Sequence, residues 1–111
     1  MARELVLLSD IPLTPQILAD VGNAVLPDGT GISYRNGEIT QFIDAENRPV
    51  ATVFDSVPVH VATEAEAVLK DAPPAFALWT EITVPFAPSP ASTALPAALA
   101  EAVSGTIREK K

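Results

Sequence analysis

The sequence predicts an α+β fold: a mainly antiparallel sheet of four to six strands with a central Asn-Gly hairpin, covered by two longer helices and one short helix as a two-layer sandwich. Three observations carry this expectation. An Asn36-Gly37 pair separates two extended runs, a Thr14-Pro15 helix start precedes apolar residues at helical spacing, and a run from Phe76 to Phe86 alternates with the period of a strand.

The opening segment Glu4 to Leu8 is a short apolar run of strand length, and its continuity predicts an interior strand buried on both faces. Thr14 is placed to cap a helix whose first residue is Pro15, and Ile17, Leu18, Val21 and Val25 follow at helical spacing. Gly22 interrupts this helix at a cost of about 1 kcal/mol relative to alanine. Pro27, Asp28 and Gly29 then mark a turn. In the segment from Ile32 to Ile43, Asn36-Gly37 offers the two positive-φ residues of a type I′ turn, which sets Tyr34 opposite Ile39. Ile32, Tyr34, Ile39 and Ile43 then share one face, taken as the core side, and Phe42 falls on the other as an exception.

A polar turn from Asp44 to Pro49 leads into Val50 to Phe54, completing a three-stranded meander. Ser56 to Val61 carries Pro58, which confines this stretch to a sheet edge or an extended connection, with Val57, Val59 and Val61 inward and His60 toward water. Thr63-Glu64-Ala65-Glu66 has the pattern of a capping box before a short helix from Glu64 to Lys70, closed by Pro73 and Pro74. On the long strand, Phe76, Leu78, Thr80, Ile82, Val84 and Phe86 line one face, and Ala77, Trp79, Glu81 and Thr83 the other. Residues 87–93, with Pro88 and Pro90, read as an extended spacer. From Ala94 a C-terminal helix places Leu95, Leu99, either Ala102 or Val103, and Ile107 on one stripe.

Leu, Ile, Val and Phe supply 32 of the 111 residues, above the roughly 20% below which a charged chain stays disordered. One folded domain spanning 1–111 is expected. The chain has no cysteine, which removes disulfides, thiolate metal sites and thiol catalysis. No apolar stretch approaches the roughly 18 residues of a membrane span, and no signal-peptide core follows the N-terminus, so the reading is cytoplasmic with no membrane partner. Between residues 5 and 107 twelve carboxylates stand against three bases, Arg35, Arg48 and Lys70. That balance repels phosphate backbones and argues against nucleic acid.

The single histidine, His60, has Asp55 and Glu64 as the nearest acids in sequence that would orient it as a general base. The pairs Asp44/Glu46 and Glu64/Glu66 lack the ligand number and the bend glycine of a calcium loop. Asp28-Gly29-Thr30-Gly31 leads into a strand, whereas a phosphate cradle needs a helix there. No catalytic residue, metal or cofactor is therefore assigned. Trp79, with Glu81 beside it, is either packed beneath a helix or an anchor in a protein interface. The functional expectation is a non-catalytic protein-interaction module, with self-association or another protein as the partner and an immunity-type inhibitor of a basic protein as a subtype. The alternative is a small enzyme or small-ligand-binding domain with a pocket near His60, so a small molecule is left open.

Overall fold

A computed structural model describes residues 2–58, 77–85 and 90–110, and the architecture below is that of these residues. The element order is β1 (Ala2–Ser9), α1 (Pro15–Val25), β2 (Thr30–Tyr34), β3 (Ile39–Ile43), β4 (Pro49–Pro58), β5 (Leu78–Pro85), α2 (Pro90–Ala102) and β6 (Thr106–Glu109). The six strands form one sheet in the order β2-β3-β4-β5-β1-β6, with every neighbouring pair antiparallel. Both described helices lie on the same side, so the described residues form an α+β sandwich-like arrangement. The predicted short helix at 64–70 and its capping box lie outside the described residues.

Several elements fall where local chemistry puts them. Thr14 is extended (φ −82°, ψ 161°), and its Oγ1 accepts from the Ile17 N–H at 3.2 Å, satisfying one of the free donors of the first turn of α1. β1 is interior, between β5 and β6, and five consecutive residues from Leu5 to Ser9 are buried. Directly opposed residues of an antiparallel pair share a face. Leu5 opposite Ile82 and Leu7 opposite Thr80 therefore point to the helices, whereas Val6 opposite Glu81 and Leu8 opposite Trp79 point away. From α2 the core receives Leu95 and Leu99, neither with any exposed surface, together with Ala100 and Val103.

Following the register across the sheet reverses one expectation. Phe42 pairs with Ala51, and Thr40 with Val53 beside Ile82, which sets Thr40 and Phe42 on the helix side. Ile32, Tyr34, Ile39 and Ile43 therefore face away from the helices, and Phe42, 3% exposed, is the core residue. The reason lies in α1. A methyl group on Gly22 would lie 2.7 Å from Phe42 Cε1, and one on Gly31 would lie 3.4 Å from it, so the ring occupies the space two glycines leave. The side facing α1 is built from small residues and one aromatic, and the aliphatic pattern marks the opposite side.

The β2–β3 pair also lies at the edge of the sheet, not its centre. Between its strands Asn36 (φ 57°, ψ 34°) and Gly37 (φ 91°) are left-handed, as is Arg35 (φ 51°), and the Glu38 N–H donates to the Arg35 carbonyl at 3.2 Å. β4 is a single strand through Pro58, lying between β3 and β5, but its β3 partners end at Phe54, so among the described residues 56–58 pair with β5 alone, as expected for a proline-containing edge. Val53 opposes Ile82 and Ser56 opposes Thr80, so β4 carries one extra residue there, a β-bulge. The bulge inverts the alternation: Ser56 turns to the helix side, where it shares a 2.6 Å hydrogen bond with Thr80, and Val57, expected inward, turns outward.

At the C-terminus two further expectations change. α2 begins at Pro90, so residues 90–93 of the predicted spacer are its first turn, and it ends at Ala102. Ser104 is left-handed (φ 52°), its N–H donates to the Glu101 carbonyl at 3.2 Å, and the Gly105 N–H donates to the Ala100 carbonyl at 2.8 Å. This is a Schellman stop. The chain reverses into β6, and Ile107 lies on a strand opposite Leu7 instead of on the helix.

Candidate protein-binding face

On the side opposite α1 and α2, where Val6 and Leu8 of β1 are nonetheless buried, the register aligns side chains in rows across the strands. Tyr34, Ile39 and Phe54 stand side by side on β2, β3 and β4. The next row runs Ile32, Gln41, Thr52, Thr83 and Glu4. Beyond the bulge a further row joins Val57, Trp79, Leu8 and Thr106. Tyr34 is 46% exposed, Phe54 36% and Val57 48%. The Tyr34 hydroxyl donates to Gln41 Oε1 at 3.5 Å, so the ring lies along the face with its polar end tied to the neighbouring strand.

Charge divides this face in two. On the β5–β1–β6 half, Glu81 pairs with Lys110, and Val6 sits in register between Glu81 and Arg108. On the β2–β3–β4 half the face positions are Thr30, Ile32, Tyr34, Ile39, Gln41, Ile43, Thr52 and Phe54, none of them charged. Asp55 borders this half at the bulge, exposed, with its Oδ1 accepting from the Ser56 N–H at 3.1 Å.

Of the residues singled out from sequence, Trp79 and Glu81 both lie on this face, two apart on β5. Trp79 is half-buried on the side away from α1 and α2, and the predicted 64–70 helix that is the other element able to cover it lies outside the described residues. His60 lies outside the described residues, as does Glu64, and the suggested His60–Asp55 pair is carried no further. Sequence alternation sets Tyr34 and Val57 inward and assigns Phe54 no surface role. Their exposure follows from the inverted hairpin face and from the bulge, neither of which has a sequence signal as strong as apolar alternation.

A groove of about 280 Å³ runs between α1 and the β2–β3 pair, lined by Gly22, Gly29, Gly31, Asn23, Thr40 and Phe42 among others, with no charged side chain in its wall. In the turn after β3, Asp44 Oδ1 accepts from the N–H groups of Glu46 and Arg48, both at 2.9 Å, and its Oδ2 accepts from the Arg48 guanidinium at 3.0 Å. These bonds, the Arg48 N–H foremost, hold the Asp44 carboxyl below its usual range. The arrangement satisfies a turn whose Asn47 is left-handed (φ 63°), which accounts for Asp44 and its neighbour Glu46 without a ligand. Among the described residues no three His, Asp or Glu side chains gather as a metal cluster, and no helix is long and apolar enough to cross a membrane. Comparison with known proteins returns no match to a family model, a curated protein or a solved structure.

Proposed function

We propose that this chain is a non-catalytic protein-interaction module that binds through the β2–β3–β4 half of the sheet face opposite α1 and α2. The observation that carries the reading is the row of exposed Tyr34, half-buried Ile39 and exposed Phe54, with exposed Val57 and half-buried Trp79 beyond the bulge. Large apolar side chains held side by side on a rigid sheet are costly to leave in water, and an exposed apolar patch of this kind marks an interaction surface. Aromatic residues also contribute disproportionately to interface energy.

The chemistry of the face states what kind of partner it fits. An apolar, uncharged protein surface matches the β2–β3–β4 half, because burying that half strands no charge. Glu81 and Lys110, already paired, would sit at the rim, where a partner's polar groups can meet them without full desolvation. The immunity-type reading, in which carboxylates lead the contact with a basic protein, draws on the net charge of −7 but not on this half of the face.

Site-specific photocrosslinking in the source cells tests the proposal. A benzophenone side chain replaces Tyr34, Phe54 or Val57 in turn, with Gln16 and Glu101, exposed on the two helices, as controls. Adducts of discrete mass from the three face positions and none from the controls are the expected result. Adducts from the controls alone, or none from the face, would overturn the reading.

A further inference from the structure

We infer that the free edge of β2 pairs with the β2 edge of a second copy of this chain, in a two-fold antiparallel arrangement that joins the two sheets. This goes beyond the face described above and concerns a different surface, the strand edge. The two edges of the sheet differ in how they are defended. β6 is four residues long, includes Arg108 and Glu109, and is followed by Lys110, which are devices that discourage pairing. β2 has none of them: Thr30-Gly31-Ile32-Ser33-Tyr34 contains no charge and no proline, and its register with β3 is unbroken. Every second residue of such an edge strand turns its N–H and C=O outward, and among the described residues no strand pairs with them.

Charge placement selects the occupant. The chain carries −7 overall, so a second copy is repelled unless the contact is locally neutral or complementary. β2 supplies both conditions. The strand itself is uncharged, and it is flanked by Asp28 at its start and Arg35 at its end. The antiparallel register that pairs all five residues sets Ile32 opposite its own copy and Tyr34 opposite Thr30. Beyond the strand ends, this arrangement brings the turn that carries Arg35 in one copy near the turn that carries Asp28 in the other, twice by symmetry. A parallel or displaced pairing would set like charges together or leave them unmatched.

Sedimentation equilibrium or light scattering over a concentration series tests this on the intact chain, with circular dichroism confirming that each variant is folded. A concentration-dependent dimer is expected. Ile32→Lys places two ammonium groups against each other at the two-fold axis and should yield monomer. Phe54→Lys, two strands in from the edge, should leave the dimer intact. Asp28→Arg and Arg35→Asp should each weaken the dimer by roughly tenfold, and the double reversal should restore it. A chain that stays monomeric up to about 1 mM would overturn the inference. So would a dimer that Phe54→Lys dissolves and Ile32→Lys does not, or one whose double charge reversal fails to recover. None of these outcomes touches the photocrosslinking result at Phe54 and Val57, so the edge and the face fail separately.

Discussion

Replacing Phe42 by alanine tests the orientation of the β2–β3 pair, on which the exposed face depends. Phe42 is 3% exposed, on the sheet side facing α1, with its ring against Gly22 and Gly31. Truncating a buried phenylalanine costs about 3–5 kcal/mol, through lost transfer energy and the cavity left behind. A domain of this size has a total stability of about 5–15 kcal/mol, and each kcal/mol shifts the melting temperature by roughly 4 °C, so a fall of about 12–20 °C is expected. Ile39→Ser, on the opposite face, should cost about 1 kcal/mol or less, because Ile39 is only half-buried. The assay is urea unfolding followed by circular dichroism, with an unchanged slope identifying a change in stability alone. A double-mutant cycle sharpens it. In the native background Gly22→Ala forces a methyl within 2.7 Å of Phe42 Cε1, an overpacking penalty of about 1–3 kcal/mol set against a helix-propensity gain of about 1 kcal/mol. In the Phe42→Ala background the penalty disappears and Gly22→Ala should stabilise by about 1 kcal/mol. If Ile39→Ser costs more than Phe42→Ala, or if the two alanine substitutions are additive, the assignment of faces is refuted.

Other predictions follow from particular contacts. Gly105→Ala would set a methyl 2.7 Å from Leu7 Cδ1 and 2.8 Å from the Leu8 carbonyl oxygen, and the backbone cannot yield as a side chain does, so a loss of about 2 kcal/mol is expected in thermal unfolding. Ser92→Ala removes the 2.9 Å bond that the buried hydroxyl donates to the Val50 carbonyl and should cost about 1 kcal/mol in urea unfolding. Asp44 titrates below its usual range in the folded chain, so its contribution is fully present above the ordinary carboxylate pKa and is lost as pH falls through the lower folded value. The stability difference between the native chain and Asp44→Asn should therefore be flat near neutrality and shrink on acidification below that range, and a difference independent of pH would contradict it. A chain ending at residue 87 loses Leu95, Leu99 and Val103 from the core and the β6 partner of β1, and should show no cooperative unfolding transition.

The parts of the fold that were legible in sequence are those that local chemistry decides. Thr14 and Pro15 fix the start of α1 because a cap and a preset φ act within one turn, and the helix runs from Pro15 to Val25 as its apolar spacing requires. Thr80, Ile82 and Val84 alternate on a strand without interruption, and their inward face was readable from period alone. The face of β2 and β3 was not readable, because its inward side is defined by the close approach of α1 through Gly22, a tertiary fact. Small residues there, Gly31, Ser33 and Thr40, look like a solvent side when α1 is unknown. A single extra residue between Val53 and Ser56 inverts everything after it on β4, and nothing in Phe54-Asp55 announces it. The stop after α2 was different: Ser104-Gly105 carried the signal, and the helical spacing of Leu95, Leu99, Val103 and Ile107 outweighed it. The candidate site shares this history. Alternation alone places Trp79 and Glu81 together on the face of β5 opposite Leu78 and Ile82, whereas Tyr34, Phe54 and Val57 depended on the two features that alternation misreads.

Hydroxyl-radical footprinting of the chain in dilute solution tests the central claim most directly, since it reads side-chain exposure one residue at a time. Tyr34 and Phe54 should be modified rapidly and Phe42 protected until the chain unfolds. Protection of Tyr34 and Phe54 with rapid modification of Phe42 would show that the helices cover the other side of the sheet, and the proposed binding face would not exist.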